Sequence, residues 1–180
     1  MAINRQRILL AIDPGPVYSG WCVMNETTYQ PIWFGKDVNE FLENHIWHDT
    51  WFDDEKYSPF FNIDEVAIEM VDSYGMPVGR EVFQTCVQIG RFQGLCALRG
   101  LAPYSIYRSE EKLRICHSTK ANDATIRQAL VDRFAPNAPN HGKGTKQNPS
   151  LFYGFKKDVW QAFAVGVTFI DKRKEERGEN

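Results

Sequence analysis

Long hydrophobic runs are missing from this 180-residue chain: nothing approaches the roughly 18 apolar residues of a membrane span. The opening MAINRQRILLAIDPG has too short an apolar stretch for a secretory leader and runs straight into a turn. Thiol and imidazole groups are few, with four Cys and four His. No two cysteines form a C-x-x-C pair, and no His stands at zinc-finger spacing from Cys22, Cys86, Cys96 or Cys116. His45 and His48 are three apart but have no third ligand nearby in sequence. The cysteines sit among apolar residues and read as buried free thiols. The loop KGTK is not a nucleotide-binding P-loop, because G-x-x-x-x-G-K-[ST] is absent. Internal repeats and linker-like stretches are also lacking. What remains is 43% hydrophobic and 24% charged, the make-up of a globular chain with a sizeable core. The expectation is one cytoplasmic domain spanning residues 1–180, with no membrane segment.

The net charge of −2 taken alone points away from nucleic acid, but it hides an asymmetry. From Met1 to Asp72 there are 4 basic and 13 acidic side chains, a net of −9. From Ser73 to Asn180 there are 17 and 10, a net of +7. Such a split hints at a polyanionic partner for the second half.

Hydrophobic periodicity gives the element order β-β-β-α-β-α-β-α-α. Arg7 to Asp13, Ser19 to Met24 and Tyr29 to Gly35 read as three strands in an antiparallel meander. Val38 to about Trp51 repeats at helical spacing, and 51–62 reads as a loop or insertion. Glu65 to Val71 is a strand, Ser73 to Gly79 a loop, and Val82 to Leu98 a helix closed by Gly100. Tyr104 to Arg108 is a fifth strand. Asn122 or Asp123 caps a further helix that Pro136 ends. Residues 136–150 read as a mobile loop. Asp158 to Lys172 is apolar nearly all round and therefore predicted to be buried.

Three carboxylates stand where a carboxylate is costly. Asp13 ends the first strand on the face of Leu9 and Ala11, and Glu69 lies inside an apolar strand on the face of Ala67 and Val71. Asp158 opens the buried helix on the face of Ala162, Val165 and Phe169. Each has an ordinary reading: a turn residue, a salt-bridge partner, a helix-start acid favoured by the dipole. Together they suggest more. Three carboxylates converging within about 5 Å would repel by roughly 3 kcal/mol per pair at an effective dielectric near 20. Mg²⁺, with its preference for hard oxygen ligands, relieves that repulsion. Two such ions can activate water and stabilise the leaving oxygen of a phosphodiester.

The segment ILLAIDPGPVYSGWCVM resembles the opening of the RuvC-type Holliday junction resolvases. EVAIEMV resembles that family's acidic central strand, and KKDVWQAFAVGVTF its last helix. STKANDATIRQAL and KGTKQNPSLFYGF look closer to the phage-encoded branch. The resemblance implies an α/β, RNase H-like fold of the retroviral integrase superfamily. Its five-stranded mixed sheet has three antiparallel strands then two parallel ones, flanked by helices. It further implies a homodimer in the cytosol of a bacterium or phage-infected host, cutting branched DNA such as four-way junctions with Mg²⁺ or Mn²⁺. Asp13, Glu69 and Asp158 would be the catalytic metal ligands. The family usually carries another acid or His one helical turn from the last ligand. Here those places hold Phe155 and Gln161, and Asp72 falls on the other strand face.

For DNA contact, Tyr74 lies in the loop after Glu69, where it could stack on an unpaired base or be an ordinary surface tyrosine. Arg80, Arg108, Lys112, Arg114, Lys120, Lys143, Lys146, Lys156 and Lys157 are the candidate phosphate contacts, each weighed against a plain solvated charge. The helix from Val82 to Leu98 could serve a dimer interface or pack within one subunit. Two alternatives stand beside the resolvase reading: an RNase H-like nuclease acting on structured RNA, and a catalytically weak junction-binding protein.

Overall fold

A computed structural model describes residues 6–48, 62–72 and 77–179. Its strands are β1 (Ile8–Asp13), β2 (Tyr18–Asn25), β3 (Pro31–Val38), β4 (Glu65–Met70) and β5 (Tyr104–Tyr107). Its helices are α1 (Asn39–His48), α2 (Arg80–Leu98), α3 (Arg108–Cys116), α4 (Asp123–Phe134), the one-turn α5 (Pro139–Gly142) and α6 (Lys157–Glu176). The strands form one sheet in the order β3-β2-β1-β4-β5. β1, β2 and β3 pair antiparallel, while β4 joins β1 and β5 joins β4 in parallel, as expected from the sequence. The two parallel joins need crossovers; α1 precedes β4 and α2 precedes β5.

Alternation along the strands splits the core in two. Leu9, Ala11, Cys22, Met24 and Ala67 face α4 and α6. Ile8, Leu10, Ile12, Val23, Val66 and Ile68 face α1 and α2. Both faces of β1 and β4 are covered, which is why their sequences read as nearly unbroken apolar runs. Helix α6 is buried from Val159 to Ile170 except at Gln161, and it lies close on the sheet because residue 166 is glycine. A Cβ there would stand 2.3 Å from the Met24 sulfur and 3.2 Å from the Ala11 Cβ. An aromatic cluster of Phe34, Phe152, Phe155, Trp160 and Phe163 fills the space beside its first turns.

Two differences from the sequence expectation matter. Residues 108–116 form helix α3, which the periodicity did not signal. Arg108 is therefore its first residue rather than the end of a strand. Residues 136–150 are held by backbone hydrogen bonds, including Gly144 to Pro139, Thr145 to Asn148 and Ser150 to Lys143. The close of α2 agrees with expectation. Gly100 takes a φ of +74°, its N–H donates to the Ala97 carbonyl, and the Leu101 N–H donates to the Cys96 carbonyl.

Candidate active site

Asp13 is the last residue of β1, and Glu69 the fifth of β4. Ile12 pairs with Ile68 in the parallel register, so Asp13 and Glu69 fall on the next rung. Side chains on neighbouring strands at one rung share a face, with strands about 4.8 Å apart. That face is the one carrying Leu9, Ala11 and Ala67, beneath α6. The alanines keep it low at the approach.

Asp158, in the first turn of α6, is brought to the same corner by Gly20. Gly20 pairs with Asp13 across β1 and β2. A Cβ on Gly20 would stand 2.4 Å from the Asp158 carbonyl oxygen and 3.0 Å from the Asp158 Cβ. The start of α6 thus rests on the bare backbone beside Asp13. The Asp158 carboxylate forms an ion pair with Lys36 of β3 at 3.2 Å.

A fourth carboxylate enters from α3. Glu111 is 0% exposed. One of its oxygens, Oε2, accepts from the Arg108 guanidinium one turn earlier; the other, Oε1, is buried with no hydrogen-bond partner among the described residues. Arg108 also pairs with Asp123 at the start of α4. Burial opposes ionisation of Asp123, but hydrogen bonds from Gln161 and Arg108 outweigh it and lower its pKa.

The electrostatics show how crowded this corner is. Burial, then the neighbouring charge of Glu69 and a hydrogen bond to it, hold the Asp13 carboxyl well above the usual carboxylate range; Glu111 and Asp158 add to the effect. Burial and then Glu69 likewise push Glu111 up, against the opposing pull of Arg108. Neither Asp13 nor Glu69 has an ion-pair partner among the described residues. The opposite end of the sheet is unlike this. There Glu26 is paired with Arg7 and Arg177, and Glu65 with Arg7 and Arg173. Carboxylates whose purpose is to hold the fold together have their arginines; the pair at the other end does not.

A cavity of about 300 Å³ opens over Asp13 and Glu69, lined also by Asp72, Thr85 and Arg108. Asp72 reaches it because β4 ends at Met70, so the strand alternation that would turn it away has stopped. Beside it lies a second cleft of about 310 Å³, lined by Asp123, Arg127, Lys143, Lys156, Lys157 and Gln161 over a floor of Phe155 and Trp160.

These donors suit a hard divalent cation: all are carboxylate oxygens, two of them compressed together and one buried oxygen left unpartnered. Among the described residues no three His, Cys, Asp or Glu side chains stand gathered for coordination, so ion binding would require side-chain adjustment. Neither place one turn from Asp158 supplies a further ligand. Phe155 is packed in the aromatic cluster, and Gln161 hydrogen-bonds Asp123.

Of the candidate DNA contacts, Lys143, Lys156 and Lys157 line the second cleft, together with Arg127, which sequence reasoning missed. Arg108 and Arg114 are engaged in ion pairs, Arg114 with Glu175. Lys120 and Lys146 are exposed and Lys112 is half-buried, all outside both clefts. Arg80 lies elsewhere, in a shallow groove with Phe83, Val87 and Arg91. Tyr74 falls outside the described residues. Among the described residues no helix is long and apolar enough to cross a membrane.

No protein-family model matches this chain, and no curated protein matches it. Solved structures do. One is Thermus thermophilus RuvC in complex with a Holliday junction substrate, with a TM-score of 0.62 at 12% identity, covering 94% of this chain and 96% of the other. Another is a Thermus thermophilus RuvC structure, with a TM-score of 0.61 at 14% identity, covering 93% and 96%. The likeness runs the length of both chains, and it establishes that this protein has the RuvC-like, RNase H-like fold.

Proposed function

We propose that this protein is a metal-dependent endodeoxyribonuclease that cuts Holliday junctions and other branched DNA by phosphodiester hydrolysis. The observation that carries this reading is the pair of Asp13 and Glu69 on one rung of parallel strands, with no ion-pair partner among the described residues and with Asp158 delivered to the same corner. The fold's full-length likeness to a junction-bound RuvC supports the choice of substrate.

Asp13 and Glu69 would hold Mg²⁺ or Mn²⁺, with Asp158 completing the site once released from Lys36. When bound, the metal lowers the pKa of a coordinated water and neutralises charge on the phosphate. Lys143, Lys156, Lys157 and Arg127 would bind the backbone of the DNA strand leading into the acidic cavity, setting register without reading bases. Gly20 keeps the start of α6 close enough for Asp158 to face the scissile phosphate.

The proposal extends to a phage-encoded cytosolic homodimer joined through α2. One stripe of that helix carries Phe83 at 61%, Val87 at 66% and Leu98 at 73% exposure. Gly90 and Gly94 lie between them, with open space where a side chain would stand. Exposed apolar groups aligned over four turns fit a second copy of the same helix.

The Lys36–Asp158 pair favours a second reading, a junction-binding protein that cuts weakly. One experiment separates the two and also tests the RNA alternative. Wild type and Asp13→Asn are compared on a four-way DNA junction and on structured RNA, in Mg²⁺ and in EDTA. We expect wild type to cut the junction in Mg²⁺ and to prefer it to the RNA. Asp13→Asn should bind the junction as tightly in EDTA but lose at least about 100-fold in cleavage rate. Undiminished cleavage by Asp13→Asn would sink the assignment.

A further inference from the structure

The start of α6 and the residues just before it offer no second ligand one turn from Asp158, because Phe155 is in the core and Gln161 is bound to Asp123. The chain nevertheless buries a carboxylate in the same corner from a different element. Glu111 comes from α3, follows β5 by a few residues, and is wholly inaccessible. A buried carboxylate is tolerated when its charge and hydrogen-bonding capacity are both satisfied. Arg108 satisfies only half of it, through Oε2. Oε1 has no hydrogen-bond partner among the described residues, and the strongest like charge acting on this carboxyl is that of Glu69. Unlike Glu26, whose two oxygens face Arg7 and Arg177, Glu111 has one arginine and a like charge acting on it, an arrangement that a structural salt bridge gains nothing from. Arg108 itself lines the cavity over Asp13 and Glu69.

We propose that Glu111 is the fourth carboxylate of the site, presenting Oε1 to a divalent cation held with Asp13 and Glu69, while Arg108 fixes Oε2. The inference rests on the metal-dependent reading above and deepens it. In this chain the acid missing from the last helix is replaced from α3. The ion-pair network from Arg108 to Asp123 then ties the acidic cavity to the start of α4, whose first residues border the basic cleft.

The test is a calorimetric Mn²⁺ titration of the full chain without DNA, on wild type, Glu111→Gln and Arg108→Gln, each first checked for a cooperative thermal transition. Glu111→Gln keeps the size of the side chain and an oxygen for Arg108 to bond. We expect it to weaken Mn²⁺ affinity at least about tenfold, the usual range for ligand-shell losses. Arg108→Gln loosens the hold on Oε2 but leaves the ligand oxygen Oε1 in place, so it should weaken Mn²⁺ binding much less than Glu111→Gln does. If Glu111 served only to hold Arg108, the two variants would lose affinity alike, and that result overturns the proposal. So does a Glu111→Gln titration that matches wild type, which would leave the Asp13–Glu69 reading standing. Wild type that takes up no Mn²⁺ would remove both. Should Glu111→Gln fail to fold, Glu111→Asp keeps the charge but draws the oxygen back by one methylene. It is expected to weaken Mn²⁺ binding in the same direction, and unchanged affinity in that variant counts against the proposal equally.

Discussion

Asp13 and Glu69 occupy positions that the fold would be more stable without. Each follows an alanine on its own strand face, each sits next to the other, and no cation among the described residues is paired with either. The consequence is measurable as stability against pH. Burial and Glu69 make the Asp13 carboxyl hold its proton to higher pH in the folded chain than in the unfolded one. Between those two pKa values the folded state binds more protons, so stability falls as pH rises through the window. That window begins at the ordinary carboxylate value near 3.9 and runs upward to the raised one. In EDTA, wild type should therefore melt at a lower temperature at pH 7 than at pH 5. Asp13→Asn should remove much of that difference and melt higher at pH 7. A gain of ~1 kcal/mol corresponds to about 2–4 °C in a chain of this size. Thermal scans by circular dichroism at the two pH values check this. An Asp13→Asn protein that melts below wild type at pH 7 would mean the carboxylate is stabilising, and so has a partner.

Among elements, β1, β4 and α6 bring the acids together, and Gly20 of β2 is the point where the start of α6 rests on the sheet beside Asp13. Gly20→Ala would drive a Cβ into the Asp158 carbonyl, which is backbone and cannot swing aside. Overpacking of this kind costs about 1–3 kcal/mol. We expect a lower melting temperature and a shifted start of α6, so that cleavage falls further than junction binding does. A variant that melts lower yet cuts at the wild-type rate would show that the placement of Asp158 is unimportant. The same elements explain what could be read from the sequence. Asp13 and Glu69 stood out because a carboxylate inside an apolar strand breaks a clear pattern. The long periodic stretches marked α2 and α6 as helices, while the mixed sheet was legible only through the family resemblance. Helix α3 gave no such signal. In RSEEKLRIC the apolar residues Leu113, Ile115 and Cys116 are too few and too close for a helical period to emerge over nine residues. Glu111 therefore looked like one charge among several. Its burial comes from packing against distant α6 and α4, and from Arg108 one turn earlier. The spacing of Arg108 and Glu111, three residues apart, was the only local trace of it. Lys36 was missed for a similar reason: its reach to Asp158 spans more than 100 residues of chain and depends on β3 lying at the sheet edge under the start of α6.

On the scale of the whole molecule, the net charge of −2 is divided by place rather than averaged. Acids gather in one cavity, bases line the adjoining cleft, and an exposed apolar stripe runs along α2. If α2 joins two copies, each dimer carries two such cavities and can cut both strands of a junction during one encounter. Val87 lies at 66% exposure in the middle of the apolar stripe, and replacing it should cost the monomer little, since exposed positions usually tolerate change within about 0.5 kcal/mol. A charge there should oppose its own symmetry mate across a two-fold interface. Val87→Glu is therefore expected to sediment as a monomer at concentrations where wild type is a dimer, with an unchanged melting profile in dilute solution. On a supercoiled plasmid bearing a cruciform, wild type should give linear product from paired cuts. The variant should give mainly nicked circles, because the second cut would await a second binding event. Linear product at the wild-type ratio from a monomeric Val87→Glu would separate strand pairing from this helix and place the contact between copies elsewhere on the surface.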